Sequence, residues 1–142
     1  MELFRHRDRE GGNVMRKIVL SIQNDLLAEA LADKLAESGA FQPFPVAVDR
    51  SHRAVAACVA CGADIVLMEV SLAACAKVND RLREVAQIRQ QAPDCKIVLL
   101  CDERVSPQIA QEVMQAKKDG RIDAFFYASL TIKYLVAALY AV

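Results

Sequence analysis

Three stretches of this chain are apolar without interruption: Ile18-Val19-Leu20, Ile65-Val66-Leu67-Met68 and Ile97-Val98-Leu99-Leu100. A strand with one wet face alternates apolar and polar residues, whereas a strand covered on both faces need not. Short continuous runs of this kind, bounded by helix signals, predict the inner strands of a parallel sheet with helices on each side. The intervening stretches supply those helices. Asn24 and Asp25 are N-cap types ahead of Leu26, Leu27, Ala30, Leu31 and Leu35 at helical spacing, and Ser38-Gly39 ends the pattern. Phe44 to Val48 predicts a short strand whose Pro45 suits a sheet edge. Ser51 predicts the cap of a second helix through Ala60, closed by Gly62. A third helix is predicted from Val78 to Ala92, and a fourth opens at Ser106-Pro107 and runs to Lys118. Ile122 to Tyr127 predicts the last strand and Thr131 to Ala141 the last helix.

Five strand–helix units in 142 residues predict one α/β domain from residue 15 to residue 142. Right-handed crossovers leave few topologies for such a chain. The expected solution is a flavodoxin-like (βα)5 three-layer sandwich with a parallel sheet in the order 2-1-3-4-5. Residues 1–14 lack periodicity, end in Gly11-Gly12-Asn13 and are read as a disordered tail. Ligand chemistry in open parallel sheets gathers at the carboxyl ends of the strands. The residues to question are therefore Ile22, Gln23, Asn24, Glu69, Cys101 and Ala128.

Charge and cysteine usage narrow the function classes. Lys+Arg and Asp+Glu are both 18, a formal balance of zero, which argues against direct nucleic-acid binding through phosphate neutralisation. No apolar run approaches the length that spans a bilayer. The five cysteines are an odd set lying partly in apolar runs, and no apolar leader follows the charged residues 1–10. The reading is a cytoplasmic protein. Cys58 and Cys61 share a helical pattern, and His6 and His52 are isolated, so neither a metal set nor a nucleophilic triad is expected. The loop Ser21 to Asp25 has no glycine with which to cradle a phosphate, so no nucleotide or flavin is expected. The expectation is no enzyme and no cofactor.

Four stretches resemble the response-regulator receiver (CheY-like) family of two-component signal transduction and phosphorelay. They are Lys17 to Leu31, Asp64 to Val70, Ile88 to Cys101 and Asp123 to Leu139. The resemblance covers about nine-tenths of the chain and implies that fold. It also implies where a phosphorylation site would sit. The family's metal-holding acid pair falls on Ile22 and Gln23, and its phosphoacceptor aspartate on Glu69. Its Thr/Ser falls on Cys101, its lysine on Ala128 and its switch aromatic on Phe125. An octahedral Mg²⁺ needs hard oxygens, which isoleucine cannot offer and glutamine offers only as a neutral carbonyl. A glutamate at the acceptor position carries about −1 permanently, against −1.5 to −2 for a phosphoryl group. A thiol is a weak donor, and alanine brings no cation. The resemblance thus implies a degenerate pseudo-receiver with no metal, working by protein–protein contact and independent of phosphorylation.

Two further readings stay open. One is the regulatory domain of a transcription factor whose DNA-binding part would follow Val142. The other is a thiol-based redox sensor using Cys75 and Cys101. For contact with a partner, an output domain or a second copy, the expected surface is formed by the fourth helix, fifth strand and fifth helix. The residues expected on it are Phe126, Tyr127, Leu135, Leu139 and Tyr140. The motive is an apolar excess from Leu130 to Tyr140 with Lys133 as its single charge.

Overall fold

Side chains on successive strand residues point to opposite faces of a sheet, so each continuously apolar run has to feed two cores at once. The computed structural model, which describes residues 15–102, 104 and 106–142, shows this division. The expected tail, residues 1–14, lies outside the described residues. The strands are β1 (Arg16–Ser21), β2 (Phe41–Val46), β3 (Ile65–Val70), β4 (Lys96–Cys101) and β5 (Ala124–Tyr127). They alternate with helices α1 (Asp25–Glu37), α2 (Arg53–Cys61), α3 (Val78–Gln91), α4 (Pro107–Lys118) and α5 (Ile132–Tyr140). All pairings are parallel and the order is β2-β1-β3-β4-β5. Ile18, Leu20, Ile65, Leu67, Val98 and Leu100 pack against α1 and α5. Val19, Val66, Met68, Ile97 and Leu99 face α2, α3 and α4 in a second core. The architecture is the expected (βα)5 three-layer sandwich.

Two local expectations need correction. The second strand starts at Phe41 rather than Phe44 and ends at Val46. Phe41 is buried and lies under the Arg16 guanidinium at 5.7 Å, which anchors the strand earlier. Pro43 and Pro45 are two residues apart, so their nitrogens share one side of the edge strand and β1 pairs with the other. The second correction concerns Ser51, which does not cap α2. The N-cap is His52, in the left-handed region at φ 52° with no side-chain cap bond. Asp49 organises this loop instead, accepting the Ser51 N–H at 2.9 Å and pairing with Arg53 at 2.7 Å.

One device occurs twice at the amino ends of the strands. Asp64, just before β3, accepts the Lys17 N–H with its carboxylate (2.9 Å) and donates its own N–H to the Lys17 carbonyl (2.8 Å). Asp123, just before β5, does the same with Ile97, at 2.8 Å in both directions. Its carboxylate also meets Arg89 at 3.1 Å. This is why β5 begins at Ala124 and not at Ile122: a side chain replaces the first rung of the ladder.

Candidate functional site

β1 ends at Ser21, and the next residue, Ile22, turns its side chain into the core beneath α1, where it is 3% exposed. Gln23, Asn24 and Asp25 follow on the surface. Asn24 caps α1, its Oδ1 accepting the Leu27 N–H at 3.1 Å. Glu69, next to last in β3, reaches across to this loop. Its Oε1 accepts the Gln23 N–H at 2.7 Å and lies 3.4 Å from the Asn24 nitrogen. The carboxylate thus sits on backbone donors at the start of α1.

At the far side of the site, Cys101 is the last residue of β4 and is fully buried. Its carbonyl accepts the Ala128 N–H at 2.8 Å. Ala128 is half-buried just past β5 and presents only a methyl group. Phe125 packs edge-to-face on Tyr127, centroids 5.8 Å apart, on the α2–α4 side of the sheet. Phe126 faces the opposite core. The fold therefore gathers Gln23, Asn24 and Glu69 into direct contact, while Ile22 and Cys101 are core residues. These residues do not fit a bound Mg²⁺. Ile22 is apolar and turned away, Gln23 is neutral, and the single carboxylate already accepts backbone N–H groups. Among the described residues, no three His, Cys, Asp or Glu side chains come together as a metal-holding group.

Arg81 is the residue that sequence reasoning missed. It is fully buried in the first turn of α3. Its Nε donates to the Glu69 carbonyl at 2.7 Å and its Nη2 to the Ser21 carbonyl at 2.8 Å. Its Nη1 donates to the Ser21 hydroxyl at 2.8 Å and to Glu84 Oε1 at 3.1 Å. A signal for it was available: Val78, Arg81, Leu82, Val85 and Ile88 form one helical stripe, and Arg81 with Glu84 interrupts it with an i,i+3 charge pair.

Two residues expected on the interaction surface belong elsewhere. Leu135 is 3% and Leu139 0% exposed, both in the core under α5. With Ile132 and Val136 they make the i, i+3, i+4, i+7 face that covers the sheet. Phe126 and Tyr127 are half-buried. The exposed apolar residues of that region are Tyr140 from the expected set, together with Tyr134, Leu130 and Met114.

The five cysteines are free thiols. Cys58 is buried, and a hydrogen bond with the Cys95 thiol, then its burial, push its pKa far up. Burial also raises that of Cys61. Cys75 is half-buried in the β3–α3 loop at φ 69°. Thiolates, not thiols, react. An alkylating reagent on the native protein should therefore label Cys75 first and Cys61 slowly, and leave Cys58, Cys95 and Cys101 until denaturant is added. Peptide mass mapping checks this. Fast native labelling of Cys101 would reverse the placement of that sulfur in the core.

No family model and no curated protein matches the sequence. Solved structures do match. A DNA-binding response regulator of the LuxR family from Staphylococcus aureus is 14% identical with a TM-score of 0.69, covering 89% of this chain and 98% of its own. A CheY-like protein, tadZ, from Pseudomonas aeruginosa is 15% identical with a TM-score of 0.66, again over 89% and 98%. The signal receiver domain of a NarL response regulator from Mycobacterium tuberculosis is 18% identical with a TM-score of 0.69, over 89% and 94%. Parallel strand order, helix placement and these likenesses agree: the chain has the receiver-domain (CheY-like) fold of two-component response regulators.

Proposed function

We propose that this domain is a signalling module that acts by protein–protein contact, without phosphorylation and without catalysis. The observation that supports this is the state of Glu69. Its carboxylate is engaged by the Gln23 N–H, with Ile22 turned into the core and Ala128 offering no cation. Phosphoryl transfer relies on positioned cations to offset developing charge, and Ile22, Gln23 and Ala128 bring none. A cytoplasmic location is part of this proposal; among the described residues no helix is long and apolar enough to cross a membrane.

The contact surface is assigned to α4, β5 and α5. There Tyr134 and Tyr140 are about two-thirds exposed, and Leu130 and Met114 also reach solvent. A partner protein, an output domain or a second copy would cover these side chains, and nucleic acid would be contacted only by another part of the assembly. A second reading, the regulatory domain of a transcription factor, draws support from the DNA-binding response regulator among the similar structures.

The deciding experiment for phosphorylation is incubation with acetyl phosphate and millimolar Mg²⁺, followed by intact-mass spectrometry. The expected result is an unchanged mass. A stoichiometric phosphoryl adduct would refute the reading.

A further inference from the structure

In open parallel sheets the ligand crevice lies where the strand order reverses. In the order β2-β1-β3 that point falls between the carboxyl ends of β1 and β3. Pairing between these strands runs to Ser21↔Met68, so Glu69 stands one residue beyond the last rung. The two carbonyls at this gap, those of Ser21 and Glu69, are both taken by one guanidinium, that of Arg81. The same group also holds the Ser21 hydroxyl and the Glu84 carboxylate. It is 0% exposed.

We propose that Arg81 is an internal ligand of the switch-point crevice. Its guanidinium permanently fills the place an exchangeable ligand would need, and holds the β1 and β3 ends and the Gln23–Asn24 loop in one arrangement. The route to the loop is short. Arg81 fixes the Glu69 backbone through its carbonyl, and the Glu69 carboxylate fixes the Gln23 N–H. A planar fork with donors on all three nitrogens can satisfy acceptors on two strands and one helix together; a lysine ammonium, a compact charge on a flexible stem, cannot match that geometry. This inference rests on the phosphorylation-independent reading and names its physical basis. A domain that carries its own ligand has no need of an external one to order this end of the sheet.

The test is hydrogen exchange, read by NMR on the full chain. The Gln23 N–H reports the Glu69 contact. The Ala128 and Asp123 N–H groups, bonded to Cys101 and Ile97, report the distant β4–β5 region. Arg81→Ala should speed exchange at Gln23 by about 10-fold or more relative to Ala128 and Asp123, because the opening is local. Millimolar ethylguanidinium should reverse the effect by entering the vacated space, and ethylammonium should not. If Arg81→Ala does not fold, Arg81→Lys carries the test and should show the same selective rise at Gln23.

A uniform rise over all three amides, no rise, or equal rescue by both cations overturns the proposal. Acetyl phosphate and Mg²⁺ added to the unaltered protein separate the two ideas. An adduct there refutes phosphorylation independence and leaves the exchange ratio to judge Arg81. Uniform exchange in the variants with no adduct refutes Arg81 alone.

Discussion

Leu139→Asp should abolish the native fold, while Tyr140→Asp, one residue on, should leave it intact. Leu139 is 0% exposed in the core that holds Ile18, Leu20, Leu31, Leu35 and Leu135. Removing a buried leucine side chain costs about 2–5 kcal/mol through lost contacts and the space left behind. An unpaired carboxylate in the same place adds a desolvation cost of at least a few kcal/mol. Domains of this size are stable by only about 5–15 kcal/mol in total, so little or nothing remains. Tyr140 is 67% exposed, and a surface change there should stay within about 0.5 kcal/mol. Circular dichroism with urea titration checks both. A cooperative Leu139→Asp transition near the parental midpoint would show that α5 does not cover the sheet as described. The same Tyr140→Asp protein then probes association cleanly. If a second copy binds this face, light scattering should show the dimer weakened in a fully folded variant.

Glu84→Ala should be strongly destabilising although it removes a single carboxylate. Glu84 and Arg81 face each other at 3.1 Å with side chains 6% and 0% exposed. Removing one member of a buried pair leaves the other charge uncompensated, typically at about 3–5 kcal/mol. The double variant Arg81→Met/Glu84→Leu removes both charges and should recover part of that loss. It should still fall short of the parent, because the Ser21 and Glu69 carbonyls lose their donors. Urea midpoints for the three proteins test the ordering. A Glu84→Ala loss below about 1 kcal/mol would mean that the carbonyl and hydroxyl partners alone suffice to hold the buried charge.

The inner strands were legible because burial on both faces removes polar residues from β1, β3 and β4. That signal fades at the edge. β2 has one neighbour, carries two prolines and exposes Gln42 and Pro45, so its limits blurred by several residues. Ser51 had the chemistry of a cap, but the loop geometry was decided by Asp49 and its bond to Arg53, a pairing that spacing alone did not select. In α5 the sequence Ile-Lys-Tyr-Leu-Val-Ala-Ala-Leu-Tyr is apolar around most of its circumference. Composition therefore does not tell its inward face from its outward one, and only the fold shows that Leu135 and Leu139 turn inward. The lack of charge at Ile22, Gln23 and Ala128 was readable from residue type. What fills the gap behind them was not, because an arginine on a helix ordinarily reads as a solvated charge. The apolar stripe of Val78, Leu82, Val85 and Ile88 puts Arg81 on the inward face, and the Ser21 and Glu69 carbonyls show what it holds there.

The paired aspartates at the amino ends of β3 and β5 bear on how freely the other end of the sheet can vary. A slip of one residue would turn every core side chain outward, so a sheet of this kind needs its strands locked in phase. Asp64 ties β3 to β1 and Asp123 ties β5 to β4, each at the second residue of the neighbouring strand. The two locks sit at the strand ends opposite Glu69, Cys101 and Ala128. Alignment and chemistry are thereby assigned to different poles of the molecule. Side chains at the carboxyl pole, Ile22, Glu69 and Ala128 among them, can therefore be changed without disturbing the phase of the strands beneath them.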